Sequence, residues 1–377
     1  MARVPRLVAL FGALVFASII TTSPVAADTA AGIAYLRTTQ QANGGWDANP
    51  ASEFATTEAL LAIAEQAQTG AAWSTAQAFG AVDTFDYLNN PANADPLTFA
   101  DDVADGAVPA SVAGKLIVLV AAPLGLSTTD FDPKNDSAAA VNLETALDAT
   151  GCAANTASFG LFGETLLAML AKFLVCGTAP PAAVAAVRSA QQADGAWNFT
   201  GTSTPQGFDD IDTTSAAIMA LVAGGAGATD PDVVEGLAFL ASKQGATGAW
   251  DAFGAPSPES TSRAILAITA AGYDPNSSCW RDTVAPALAG TAYASPVTAL
   301  ANLQNANGSW GTFGPDFATG QAVQGLERQW LPVARAPVQT CAVAAPPATA
   351  PESPAGGAGS GGARPAGAVV ASPSFTG

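Results

Sequence analysis

Six stretches of the chain are apolar on nearly every face. They are Glu58-Ala-Leu-Leu-Ala-Ile63, Lys115-Leu-Ile-Val-Leu-Val120, Glu164-Thr-Leu-Leu-Ala-Met169, Ala216-Ala-Ile-Met-Ala-Leu221, Arg263-Ala-Ile-Leu-Ala-Ile268 and Gln321-Ala-Val-Gln-Gly-Leu326. A more amphipathic segment precedes each one, at 33–41, 82–88, 139–147, 182–192, 233–243 and 297–303. Helices apolar all round are buried, whereas amphipathic ones turn one side to water. Gly, Pro and Asn clusters separate the segments, as turn chemistry requires. The pattern predicts six helical hairpins, with an inner ring of buried helices wrapped by an outer ring. An open array of repeats needs polar caps at both ends, and a closed ring does not. The expected fold is therefore all-α, an α/α toroid (α6/α6 barrel) spanning residues 28–343.

The hairpins are punctuated by a recurring turn. It reads Gln41-Ala-Asn-Gly-Gly-Trp46, Gln192-Ala-Asp-Gly-Ala-Trp197, Gln244-Gly-Ala-Thr-Gly-Ala-Trp250 and Gln304-Asn-Ala-Asn-Gly-Ser-Trp310. The tryptophans lie 151, 53 and 60 residues apart. The first gap is close to three of the others, so it holds two degenerate repeats. The stretch from Gln191 to Leu221 shows one unit whole. A helix ends at a Gln and a Gly-x-Trp turn, and the next opens with Asp209, Asp210 and Asp212 beside Thr213 and Thr214. Acids and hydroxyls there accept bonds from free N–H groups and complement the positive helix end.

Charge narrows the partners. The chain of 377 residues has 31 acidic and 13 basic side chains, a formal charge of −18. Phosphate binding needs clustered Lys and Arg, so nucleic acid is excluded and anionic membrane surfaces are disfavoured. Residues 1–27 read as a signal peptide: Arg3 and Arg6, an apolar stretch from Leu7 to Ile20, then Val25-Ala26-Ala27 before Asp28. The apolar stretch is too short for a comfortable membrane span, and no transmembrane segment is expected in the mature chain. The expected location is secreted or extracellular, with cell-wall association as a variant. Residues 344–377 are Ala, Pro, Gly and Ser with little to bury, which predicts a disordered tail or wall-spanning linker. In an exported chain Cys152, Cys176, Cys279 and Cys341 suggest two disulfides. Three pairings are possible, and the sequential one, Cys152–Cys176 with Cys279–Cys341, is favoured. With no histidine and no Cys-x-x-Cys pair, no metal site and no cofactor are expected.

The Gln…Gly-x-Trp turns resemble the repeats of squalene–hopene cyclases and of protein prenyltransferase β-subunits, over roughly residues 28–333. The nearest likeness is to secreted bacterial proteins carrying prenyltransferase/squalene-oxidase repeats. Cobalamin carriers and complement thioester domains share the toroid. The resemblance implies that the Trp stacks near the neighbouring repeat and that the Gln ties helix ends. It also implies a test of chemistry. Squalene–hopene cyclases protonate an alkene from Asp-x-Asp-Asp-Thr, and the matching run here is Asp210-Ile-Asp-Thr-Thr214. Asp210 and Asp212 match, and Thr213 is read as standing at the donor position, too weak an acid for that step. Aromatic residues make up only 7%, low for a cavity that holds carbocations by cation–π contacts. The zinc of prenyltransferases needs a His that is absent, and no cysteine sits in a thioester-type site. Asp101-Asp-Val-Ala-Asp105 has the form of a magnesium-diphosphate motif but lies in a loop-like stretch.

Aligning the inner segments exposes two columns. Thr57, Gly114, Gly163, Ser215, Ser262 and Gly320 are small throughout, a packing position. The next column holds Glu58, Lys115, Glu164, Ala216, Arg263 and Gln321. Charges inside apolar helices are costly unless paired or solvated. One reading is stapling: Lys115 bridges Glu58 and Glu164, and Arg263 pairs with Glu259 or a neighbour. The other places Glu58, Lys115, Glu164, Arg263 and Gln321, joined by Asp209, around a cavity mouth as ligand-binding groups. The function expected is an exported toroid binding a small apolar or amphipathic molecule, or a cell-surface partner, without established catalysis. Two alternatives are a terpene cyclase/mutase-like enzyme using Asp210 or Asp212, and a glycan-active α/α barrel with Glu58 and Glu164 as its carboxylate pair.

Overall fold

The computed structural model describes residues 28–46, 53–68, 84–88, 108–131, 140–205, 210–312 and 314–330. The expected signal peptide and tail, the 101–105 acidic run, Asp209 and Cys341 lie outside the described residues.

All six apolar stretches are helical. They lie in α2 (Glu53–Gln68), α4 (Ala110–Leu116), α7 (Phe162–Cys176), α9 (Ile211–Ala223), α11 (Pro258–Ala270) and α14 (Pro315–Glu327). After α4 the chain widens into a π-turn, Ile117–Ala121, and ends in a short turn, α5 (Ala122–Leu124). The amphipathic partners are α1 (Thr29–Thr39), α3 (Thr84–Leu88), α6 (Leu143–Leu147), α8 (Pro181–Ser189), α10 (Pro231–Lys243) and α13 (Pro296–Asn302). One further helix, α12 (Cys279–Val284), was not foreseen; it packs on α10.

The apolar helices touch in cyclic order. The π-turn after α4 packs on α2 and α7, and α4 also packs on α7; α7 then packs on α9, α9 on α11, α11 on α14, and α14 back on α2. Small residues permit the close approach. A Cβ on Gly320 would lie 2.8 Å from the Glu58 backbone, and the Ser262 hydroxyl donates to the Gln321 carbonyl at 2.5 Å. These contacts join equivalent levels of α2 with α14 and of α11 with α14, so these three helices begin at the same end.

The turns explain the repeat. Each Trp is fully buried. Its indole N–H donates to a carbonyl ten residues back, at the end of the preceding outer helix: Trp46 to Leu36 (2.7 Å), Trp197 to Val187 (2.7 Å), Trp250 to Leu240 (2.8 Å) and Trp310 to Leu300 (2.8 Å). Its backbone N–H donates to a threonine hydroxyl at the start of the following inner helix, Thr56, Thr214, Thr261 or Thr319, each at 3.0 Å. The amide nitrogen of Gln40, Gln191, Gln244 or Gln304 donates to the turn glycine carbonyl four residues on. In the first two turns the tying residue is thus Gln40 and Gln191, one position before the Gln41 and Gln192 of the sequence motif.

The same glutamines reach the next repeat. Gln191 donates to the Asp232 carbonyl (2.9 Å) and Gln244 to the Ala294 carbonyl (3.3 Å). Gln304, in the last turn, donates to the carbonyl of Asp28 (3.1 Å) at the start of the first outer helix, and accepts from its backbone N–H at 3.2 Å. The last repeat therefore grips the first as the repeats of Gln191 and Gln244 grip their successors. Cys152 and Cys176 form a disulfide, as the sequential pairing requires. Cys279 is also disulfide-bonded, and its expected partner, Cys341, lies outside the described residues.

Candidate functional site

Two features occupy the ring, one on its axis and one at the end where the inner helices start. On the axis, a cavity of about 100 Å³ is lined from all six inner elements, among them Glu58, Glu65, Val118, Leu167, Met219 and Gln324. This is well below the roughly 300–1,000 Å³ of ligand pockets. Glu58 closes it. One carboxylate oxygen accepts from Arg263 (2.6 Å) and Gln321 (3.2 Å), and the other accepts from Gln324 (2.5 Å). The carboxylate of α2 thus gathers a guanidinium from α11 and two amides from α14, and Glu58 is only 5% exposed.

This geometry corrects the expected staple. The cation on Glu58 is Arg263, not Lys115, and Arg263 does not turn to Glu259. The Lys115 ammonium lies over the Phe54 ring, 5.0 Å from its centroid. Glu164 turns back on its own helix, where its carboxylate accepts from the Leu161 backbone N–H at 2.6 Å. The column therefore does not converge on one mouth. Glu58, Arg263 and Gln321 meet; Lys115 and Glu164 serve local contacts; Asp209 lies outside the described residues. Glu58 lines the cavity on the axis, whereas Glu164 is not among its lining residues and bonds to its own helix start.

The larger space is a cleft of about 820 Å³ at the end where α9, α11 and α14 begin. Two-residue strands, Asp251–Ala252 and Ala255–Pro256, pair antiparallel and form one wall. Phe253 sits at their turn with φ +54° and its side chain fully exposed. That left-handed backbone is costly for a bulky residue. Phe253, Pro256, Leu303 and Phe317 give the cleft its apolar walls, and Asp212, Glu259, Ser257, Ser260 and Asn305 its polar groups.

Neighbouring acids of the Asp210-Ile-Asp-Thr-Thr214 run take different roles. Asp210 is the α9 N-cap, accepting from the Thr213 backbone N–H at 3.0 Å and from the Thr213 hydroxyl. Thr213 is thereby committed to the cap. Asp212, two residues after Asp210, opens on the cleft. Solvent reaches it, yet the crowding walls strip water from its carboxyl and raise its pKa above the usual aspartate value. A hydrogen bond with Ser260 and the field of Arg263 oppose that rise, while the charges of Asp210 and Glu259 add to it. Asp212 is the acid of this run whose surroundings raise its proton affinity, while Thr213 is held in the cap of α9.

No protein-family model and no curated protein matches the chain. Among solved structures, it is similar to the type II terpene cyclase MstE from Scytonema, with a TM-score of 0.50 and 15% identity over 80% of this chain and 96% of that one. A tyrosine-to-phenylalanine variant of the same cyclase gives a TM-score of 0.49 and 17% identity over the same shares. The fold is terpene cyclase-like. At such identity the likeness is one of fold alone.

Within this terpene cyclase-like fold, the sequence reading missed the cleft's second carboxylate. Glu259 follows Ser257 and Pro258, an N-cap sequence, and its carboxylate accepts from the Ser257 hydroxyl at 2.8 Å. The available signal was its place: like Asp212 in α9, it is the second residue of its inner helix.

Proposed function

We propose that the chain is an exported, terpene cyclase/mutase-like α/α toroid of six helical hairpins. It takes an apolar or amphipathic isoprenoid-sized molecule into the cleft at the start of α9, α11 and α14, and Asp212 protonates it. The observation that carries this reading is the placement of Asp212: a carboxyl with raised proton affinity, facing an apolar-walled space of about 820 Å³. A carboxyl whose proton affinity is raised holds its proton to higher pH than a free aspartate and can act as a general acid. Donation to an alkene carbon or an epoxide oxygen leaves Asp212 as a carboxylate and the substrate as a cation. A proton lost from another carbon then gives an isomer of the starting molecule. The filled axis of the ring argues against deep binding there.

The test is incubation of the purified protein with geranylgeraniol and with squalene in deuterated water, followed by mass spectrometry. The expected product is an isomer carrying deuterium, formed by the wild type and absent with Asp212→Asn. Retention of the molecule without turnover would return the protein to the carrier role of the first reading. Neither retention nor product would overturn the proposal. Export rests on residues 1–27, and N-terminal sequencing of secreted protein should begin at Asp28.

A further inference from the structure

The cleft has a polarity of its own. Its apolar walls, Phe253, Pro256, Leu303 and Phe317, would take a hydrocarbon body. Its acidic side chains are Asp212, which holds a proton to serve as the acid, and Glu259, and among the described residues no Lys or Arg lines it. The charge of Glu259 is felt at Asp212, where that of Arg263 opposes it more strongly. The nearest cation on the same helix, Arg263, is one turn deeper and engaged by Glu58 at 2.6 Å. The remaining polar groups, Ser257, Ser260 and Asn305, are neutral. An anionic headgroup entering this space meets the Glu259 carboxylate, with no cation among the described lining residues to offset it. Such a like-charge contact selects against a partner as a good contact selects for one. The whole chain, at −18, adds to that field.

We infer that the cleft discriminates by headgroup charge: it accepts amphiphiles ending in an amine or an alcohol, and rejects the phosphorylated forms of the same hydrocarbon. Glu259 is the selecting residue. It lines the same cleft as Asp212, and its carboxylate accepts from the Ser257 hydroxyl at 2.8 Å. This rests on the cleft being the binding site proposed above. It sets which members of a lipid class reach the acid, because a prenyl phosphate would be turned away before protonation.

The experiment compares farnesylamine, farnesol and farnesyl monophosphate, each below its aggregation limit, titrated into the full chain and followed by calorimetry. The expected order is amine, then alcohol, then monophosphate, with the last at least about tenfold weaker at low salt, the size of one close like-charge contact. The gap should shrink at about 0.5 M salt, where the screening length falls to roughly 4 Å. Glu259→Gln, checked by thermal melting, should narrow the gap and spare farnesol. If that variant fails to fold, the salt series on the wild type carries the test. Monophosphate binding as tightly as farnesol would overturn charge selection and leave the cleft as the binding site. Binding of none of the three would overturn the cleft itself, and this inference with it.

Discussion

Glu58 commits both carboxylate oxygens to groups from two other helices, and those groups depend on it in return. Removing one partner of a buried pair strands the other, which costs more than the pair is worth net. Glu58→Ala should therefore lower unfolding stability by about 3 kcal/mol, read from the midpoint of a urea titration. Glu58→Gln should cost less, because it keeps a carbonyl for the Gln324 amide. Asp212 works in the opposite sense. Its folded pKa lies above the unfolded value, so the folded state binds more protons in the window between the two. Its contribution to stability is present below the unfolded value near 3.8 and is lost as pH rises through the folded pKa. Asp212→Asn should therefore melt higher than wild type at pH 7, and the difference should vanish at about pH 3.5. A variant melting lower at pH 7 would contradict the assignment.

Helices in this chain are placed by what joins them. The four Trp turns clamp an outer helix end to an inner helix start through two hydrogen bonds, and the threonine is the less visible half. Thr214→Val keeps the volume but leaves the buried Trp197 backbone N–H without its acceptor, which should cost about 1–3 kcal/mol. Thermal melting against a surface control would check it. A second clamp is Arg188 in α8, bidentate on the Asp230 carboxylate at 2.8 and 2.7 Å and also paired with Asp232 at the start of α10. Its hydrogen bonds hold Asp230 below the usual aspartate range. These tie α8 to α10, but the pair is partly solvated, so Arg188→Ala should cost only about 0.5–1 kcal/mol. At this scale much of the fold was legible. The Trp of each turn and the apolar runs are local patterns that produced the elements they announced. The tying Gln lay one place earlier in the first two turns. The small column packs closely at Gly114 and Gly320 but not at Gly163, where a Cβ would meet no close neighbour. The Trp-bonding threonines escaped notice because a hydroxyl at a helix start already has an explanation as a cap. The partner of Glu58 was illegible for a different reason: Arg263 is 205 positions away, and only the folded ring brings them together. The cleft was missed likewise, since its walls come from three repeats.

At the scale of the molecule, the ring depends on one seam. Gly308 stands at φ +90°, and a Cβ there would lie 2.5 Å from the Ala31 carbonyl oxygen. Gly308→Ala should therefore destabilise by about 2 kcal/mol or more, from backbone strain and the displaced α1. Hydrogen exchange should show α1 opening before α9. The seam also has a bearing on when the protein can exist at all. Gln304 and Asp28 are 276 positions apart, so the bonds that join them cannot form until almost the last repeat has arrived. Contacts of such long reach are slow to find, because the entropy of closing the intervening chain must be overcome first. Early repeats would wait, linked to their neighbours but with α1 and α2 lacking the faces of α14. A chain that finishes its fold only when its two ends meet stays threadable for most of its synthesis, a delay that would suit the export proposed above, in which a membrane is crossed before the ring closes.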